Sequence, residues 1–288
     1  MEGTDFDLFY VHLNVIIQGV AEFLPISSSG HLALFQTFFG MENMEEKYMF
    51  FTVLLHFGTL ISVCMVYWRD IVDMIREFFL GIAALAGRKD TGVAPPPARR
   101  MVMLIIIATV PLFVMVFLRD AVNQLFSNSI MVSCALLATG FILFFSDRMA
   151  RGHKTAKNAT VADALIVGCG QALAVIPGLS RSGTTISVGM MRGFDRAFAV
   201  RFSFLMSLPA VLGANVLEIK DALASNFPIE ELPMYLVGVA VSAVVGYFAI
   251  RLVKSLSDKG KFGKFAYYCW AVGLGSLVAG IVKMMLLK

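Results

Sequence analysis

Apolar runs long enough, or nearly so, to cross a bilayer recur at 48–68, 101–118, 129–146, 198–218, 232–253 and 266–287. That feature removes most of fold space. Inside hydrocarbon every backbone N–H and C=O must be paired internally, so runs of this kind specify transmembrane helices. Composition agrees: 58% of the 288 residues are hydrophobic and only 15% are charged, where a water-soluble domain carries about a quarter. The expected fold is an all-α polytopic membrane protein, one integral-membrane domain over 1–288. A net charge of +4 says little about nucleic acid, because the charges are concentrated between the spans.

Two further regions, 8–40 and 161–192, are each an apolar helical run, a Pro/Gly/Ser break and a shorter apolar run. A re-entrant helical hairpin fits that pattern better than two crossings. Cations then orient the chain. The segments 69–100, 147–160 and 251–264 are rich in Arg and Lys, and the connections at 41–47, 119–128 and 218–231 are acidic or cation-poor. Six crossings plus two re-entrant hairpins satisfy all of these, with the cation-rich connections cytoplasmic and both termini outside. The acidic start, with no Lys or Arg before Lys47, argues against a cleaved signal peptide. Cys64, Cys134, Cys169 and Cys269 lie in apolar runs without metal spacing and read as small core hydrophobes.

The two broken regions are related. Laying "QGVAEFLPISSSGH" (18–31) over "QALAVIPGLSRSGT" (171–184) gives identities at Gln18/Gln171, Ala21/Ala174, Ser27/Ser180, Ser29/Ser182 and Gly30/Gly183. Each begins the same order, a broken pair and then three crossings. Repeat one covers about 8–146 and repeat two about 161–287. Three crossings are an odd number, so the second copy is expected to be inverted, bringing the two breaks together near the midplane. Irregular backbone at that depth is tolerated only where it is buried in protein or lines a wet cavity.

Chemistry concentrates in those breaks. Glu22 is the acid most clearly inside an apolar run and Arg181 the basic residue deepest in a break. Ionisable groups at membrane depth are costly and mark functional sites; these two occupy nearly corresponding positions and should converge. In "PGLSRSGTT", Gly178 and Gly183 permit tight turns, Ser180, Ser182 and Thr184 offer hydroxyls, and the following helix offers free N–H groups. Arg181 adds a fork that matches phosphate oxygens. Together these read as a phosphate cradle. Across from it, Gln18 and Glu22 share one helix face, and Glu22 is placed to hold a divalent metal or orient His31. His31 is the acid/base candidate. Ser27, Ser28 and Ser29 are phosphate ligands, and one becomes a nucleophile if His31 activates it. His12 and His56 read as structural, His153 as a solvated loop residue.

"QGVAEFLPISSSGH" and "PGLSRSGTT" resemble the two signatures of the bacterial undecaprenyl pyrophosphate phosphatase family, the integral-membrane type linked to bacitracin resistance. The resemblance covers essentially the whole chain. It implies hydrolysis of the lipid carrier's diphosphate to the monophosphate for cell-wall polymer synthesis. It also implies a divalent cation, Mg²⁺ or Ca²⁺, and a site opening to the extracytoplasmic face of the bacterial inner membrane. Residue by residue it puts Glu22, His31 and Arg181 at essential positions, with Ser28 a nucleophile or phosphate ligand. Gln18 stands where many members carry Glu, so its place as a second metal ligand beside Glu22 departs from the pattern. The attacking group stays open between Ser28, His31 and an activated water. Expected partners are a polyprenyl diphosphate lipid, the surrounding membrane lipids and, as candidate assembly, a second copy of the chain; nucleic acid is not among them. The competing expectation is a secondary transporter or flippase of an anionic lipid or solute, because inverted repeats with broken helices are also a transporter signature.

Overall fold

The computed structural model describes residues 3–39, 49–85, 95–126, 128–224 and 232–286. Twelve α-helices account for nearly all of them: α1 (Gly3–Ala21), α2 (Ser28–Phe39), α3 (Met49–Leu85), α4 (Pro97–Thr109), α5 (Leu112–Phe117), α6 (Arg119–Phe126), α7 (Ser129–Met149), α8 (Val161–Leu173), α9 (Arg181–Met191), α10 (Arg196–Ala224), α11 (Leu232–Asp258) and α12 (Phe265–Leu286). Among the described residues no strand forms. Six helical stretches are long and apolar enough to cross a membrane, namely Phe50–Ala84, Pro97–Phe117, Ser129–Met149, Arg196–Val216, Leu232–Asp258 and Phe262–Leu286. These are the six expected spans.

Local chemistry sets the boundaries. Pro111 supplies no N–H and separates α4 from α5. Asn128 caps α7 by accepting from Met131 N–H. Thr160 and Asp163 form a reciprocal capping box at the start of α8. One expectation changes: the segment after residue 68 is not simply a polar connection. The helix continues from Met49 to Leu85 with a single kink at Tyr67 (φ −113°, ψ 23°), because its amphipathic sequence supports further turns outside the apolar span. The connection at 41–47 and residues 225–231 lie outside the described residues; 218–224 continue α10 and 119–126 is helical.

Helices pair through small residues and cross-helix hydrogen bonds, the usual means where lipid gives no hydrophobic advantage to association. Along α3 and α11, Ser62 donates to Ala243 O at 2.8 Å and Ser242 to Leu55 O at 3.3 Å. α7 packs along α12, α1 against α11, and α8 against α4. The cysteine reading needs correction. Only Cys269 is buried; Cys64, Cys134 and Cys169 sit on exposed faces of their helices. A run that is apolar all round does not reveal which face meets protein.

Two features position the functional residues. First, the cation-rich segments are tied together at one end of the bundle. Arg196 pairs with Asp147, which also accepts from Gly263 N–H at 2.9 Å. Asp163 receives Lys154 at 2.8 Å and Arg192 at 2.9 Å. Arg201 pairs with Asp70, and Arg100 donates to Ala159 O at 2.8 Å. The outer ends of α8 and α9 lie here. Second, the outer end of α2 lies at the other end, where Lys283 near the close of α12 donates to Thr37 O at 2.7 Å. The breaks between the paired helices are level with the middle of α7: Thr139 donates to Gly178 O at 2.9 Å. Cys269, beside the Trp270 that covers Gly140, approaches Pro25 O at 3.7 Å.

Candidate active site

The backbone brings the two breaks into direct contact. Gly178 has φ +94°, a conformation glycine tolerates and other residues rarely adopt. A Cβ built on Gly30 would lie 2.7 Å from Gly178 Cα. No side chain fits between the two tips. Hydroxyls then stitch them: Ser27 donates to Leu179 O and Ser182 to Leu24 O, both at 3.4 Å. Ser27 holds φ +69° and accepts from Gly30 N–H at 3.2 Å, closing the first turn of α2. Ser180 caps α9 in the matching way, accepting from Gly183 N–H at 3.1 Å, and Thr139 Oγ1 accepts from Ser180 N–H at 3.2 Å.

Across this contact Arg181 forms an ion pair with Glu22 Oε1. The carboxylate is only 9% exposed and the guanidinium 23%. Its other oxygen, Oε2, accepts from Ser28 Oγ at 2.8 Å and from Gln18 Nε2 at 2.9 Å. A carboxylate only accepts, so these contacts fix the Gln18 amide orientation and direct the Ser28 proton at Glu22. Gln18 Nε2 also lies 3.0 Å from His56 Nδ1. The expected convergence of Glu22 with Arg181 is therefore met, with Gln18 and Ser28 on the same carboxylate.

Three expectations change in detail. Glu22 does not orient His31. His31 Nδ1 lies 2.7 Å from Ser27 O, and Nε2 lies 2.9 Å from the Tyr268 hydroxyl. The proton of Ser28 is directed at Glu22, not at His31. His56, read as structural, joins the polar network through Gln18. Two of these partners come from helices far away in sequence, 38 residues for Gln18 and His56 and 237 for His31 and Tyr268, and the third, Glu22 six residues before Ser28, comes within reach only because the chain reverses at Ser27. A tyrosine at the start of the last span carries no local signal of such a role.

The residues also divide by access. Ser28, Ser29, His31, Glu22 and Arg181 are partly exposed. Ser27, Ser180, Ser182, Gly178, Gly183 and Thr184 are buried. Ser180 and Ser182 hydroxyls lie 3.3 Å apart, and Ser27 and Ser29 hydroxyls 3.4 Å apart. The Thr184 hydroxyl is buried with no hydrogen-bond partner among the described residues. The buried group builds the junction, and the partly exposed group is what a ligand meets.

A metal requirement is compatible with this chemistry in one form only. Among the described residues no group of three or more His, Cys, Asp or Glu side chains surrounds a cation position. Mg²⁺, however, is commonly held by one or two carboxylates together with substrate phosphates. Glu22 supplies one carboxylate at the partly exposed face, and Gln18 a side-chain carbonyl behind it, buried at 1% exposure, so a cation arriving with a diphosphate would meet Glu22 first.

Comparison with known proteins adds independent weight. The family described as bacitracin resistance protein BacA matches residues 12–275. An undecaprenyl-diphosphatase of Alkaliphilus metalliredigens is 41% identical over 259 residues, covering 90% of this chain and 93% of that relative. One of Halothermothrix orenii is 39% identical, covering 96% and 99%. One of Methanosphaera stadtmanae is 38% identical, covering 92% and 95%.

Proposed function

The chain belongs to the family of bacitracin resistance protein BacA, and from that premise we propose how its two broken helix pairs work. It is a multi-pass membrane enzyme that hydrolyses undecaprenyl diphosphate, a phosphoanhydride, to undecaprenyl phosphate and inorganic phosphate. The observation that carries the mechanism is the Glu22–Arg181 pair across the two breaks, with Ser28 hydrogen-bonded to the same carboxylate.

The prenyl chain lies among the helices in lipid and the diphosphate meets the partly exposed face of the junction. Arg181 has five N–H donors in a fixed fork, and those not facing Glu22 bind phosphate oxygens. Phosphoryl transfer depends chiefly on such positioning and charge stabilisation. Ser28 Oγ is the side-chain oxygen placed to attack: its proton already points at Glu22, which accepts it as the new P–O bond forms. The bridging P–O bond breaks and undecaprenyl phosphate leaves. His31, three residues beyond Ser28 on the same helix face, then takes a proton from the water that attacks the phosphorus, the Ser28 Oγ–P bond breaks, and Glu22 returns its proton to Ser28 Oγ as phosphate leaves. When bound through Glu22 and Gln18, Mg²⁺ or Ca²⁺ supplies neutralisation of phosphate charge.

We read the two halves as inverted re-entrant repeats. The support is that the outer ends of α8–α9 and of α2 lie at opposite ends of the bundle, and that each arm packs on a span of the other half, α1 on α11 and α8 on α4. We take the cation-rich end as cytoplasmic and, from the family resemblance, the junction as open to the extracytoplasmic side of the bacterial inner membrane, so that the reaction returns the lipid carrier to cell-wall synthesis. Transport alone is not favoured, because a binding site has no need of a serine whose proton is directed at a buried carboxylate.

The test is phosphate release from synthetic undecaprenyl diphosphate by the purified protein in detergent. Release is expected, to be lost with EDTA and restored by Mg²⁺ or Ca²⁺. No release under any condition would reject the function; release untouched by EDTA would remove the cation from the mechanism.

A further inference from the structure

His31 has both ring nitrogens engaged. Ser27 O can only accept, so Nδ1, 2.7 Å away, carries the ring hydrogen. In the neutral ring Nε2 is then bare, and it accepts from the Tyr268 hydroxyl at 2.9 Å. The two rings also stack, with centroids 5.6 Å apart and planes 13° from parallel. Tyr268 stands one residue before Cys269, which approaches Pro25 O in the first break. The turn of α12 that carries the phenol is thus held against the same tip that carries His31.

Tyrosines near the ends of membrane spans commonly serve as interfacial anchors. The neighbouring Tyr267, 59% exposed with its ring against Phe144 and Trp270, fits that description. Tyr268 does not. It is less exposed, at 44%, and its hydroxyl is spent on the one nitrogen of His31 able to take up a proton. Packing alone would be served equally by phenylalanine, which stacks in the same way.

We propose that Tyr268 is a positioning residue for His31: ring and hydroxyl together hold the imidazole in one rotamer, with Nε2 as its working nitrogen. This rests on the reading that His31 handles the proton in diphosphate hydrolysis. During turnover the phenol yields Nε2 to the proton being moved and recaptures it afterwards, so its loss slows the chemical step and leaves substrate binding largely alone.

The test compares Tyr268→Phe with Tyr267→Phe in the full chain in detergent. A neutral hydrogen bond contributes about 0.5–1.5 kcal/mol, so Tyr268→Phe is expected to lower kcat roughly threefold to tenfold with KM within about twofold, while Tyr267→Phe stays at wild-type values. In protein labelled with ¹⁵N-histidine, the His31 ring signals, assigned by their loss in His31→Ala, move in Tyr268→Phe and stay in place in Tyr267→Phe. An unchanged kcat in Tyr268→Phe, or unmoved His31 signals, overturns the proposal. Wild-type turnover in His31→Ala would instead refute the role of His31 itself, and the ring signals would still report whether the phenol holds it.

Discussion

Arg181→Ala is expected to reduce phosphate release from undecaprenyl diphosphate by at least about a hundredfold, the scale of losing one preorganised contact to developing transition-state charge. Among the described residues the guanidinium is the only side-chain cation in an ion pair with Glu22, and its remaining N–H groups are the strongest phosphate donors at the junction. Its removal also leaves Glu22, 9% exposed, without a counter-charge, and an uncompensated buried charge is costly in its own right. Lysine restores charge but not the planar fork, so Arg181→Lys should recover only part of the loss. Thermal unfolding of each variant in detergent separates a chemical defect from a folding defect. Wild-type-like release by Arg181→Ala would reject the assigned role.

Gly178→Ala is the second large effect, and it acts on the backbone contact itself. The residue holds φ +94°, and a Cβ there would lie 2.4 Å from Val132 O and 2.8 Å from Ala135 Cβ. A left-handed conformation costs a non-glycine residue about 1–2 kcal/mol, and overpacking adds about 1–3 kcal/mol. The tips are already in contact at Gly30, so the added carbon has no direction in which to relax without parting them. Thermal unfolding should fall by an amount equivalent to about 2–5 kcal/mol, and turnover should fall with it, because Glu22 and Arg181 sit on opposite sides of that contact. Gly275→Ala, with no heavy atom within 4 Å of its added Cβ, is the control and should behave as wild type. Full stability and turnover in Gly178→Ala would show that the second tip is not tightly packed against α7.

Much of this was legible in the sequence, for a physical reason. Hydrocarbon imposes one length and one composition on every span, so the six crossings stand out without knowledge of packing. The interruptions at Pro25–Ser29 and Pro177–Ser182 were equally legible, because polar, helix-breaking residues at that depth need a cause. Partner identity was not legible. Nothing near Glu22 in sequence indicates that Ser28 turns its proton toward it, since the i to i+6 contact exists only once the chain reverses at Ser27. His56 and Tyr268 enter from other helices, and hydropathy treats them as ordinary residues of apolar runs. Cys64, Cys134 and Cys169 lie on exposed faces and not in the core for a related reason: burial in a bundle depends on which face meets a neighbour, and an apolar run offers every face alike.

In the proposed mechanism both breaks hold one diphosphate. A structure of the wild-type protein with a non-hydrolysable, methylene-bridged analogue of undecaprenyl diphosphate tests it most directly. The phosphonate groups are expected on the Arg181 guanidinium with Ser28 Oγ about 3–3.5 Å from the terminal phosphorus, the separation of a reactive complex, and the prenyl chain between helices. An analogue bound with its head group away from both Arg181 and Ser28 would contradict it.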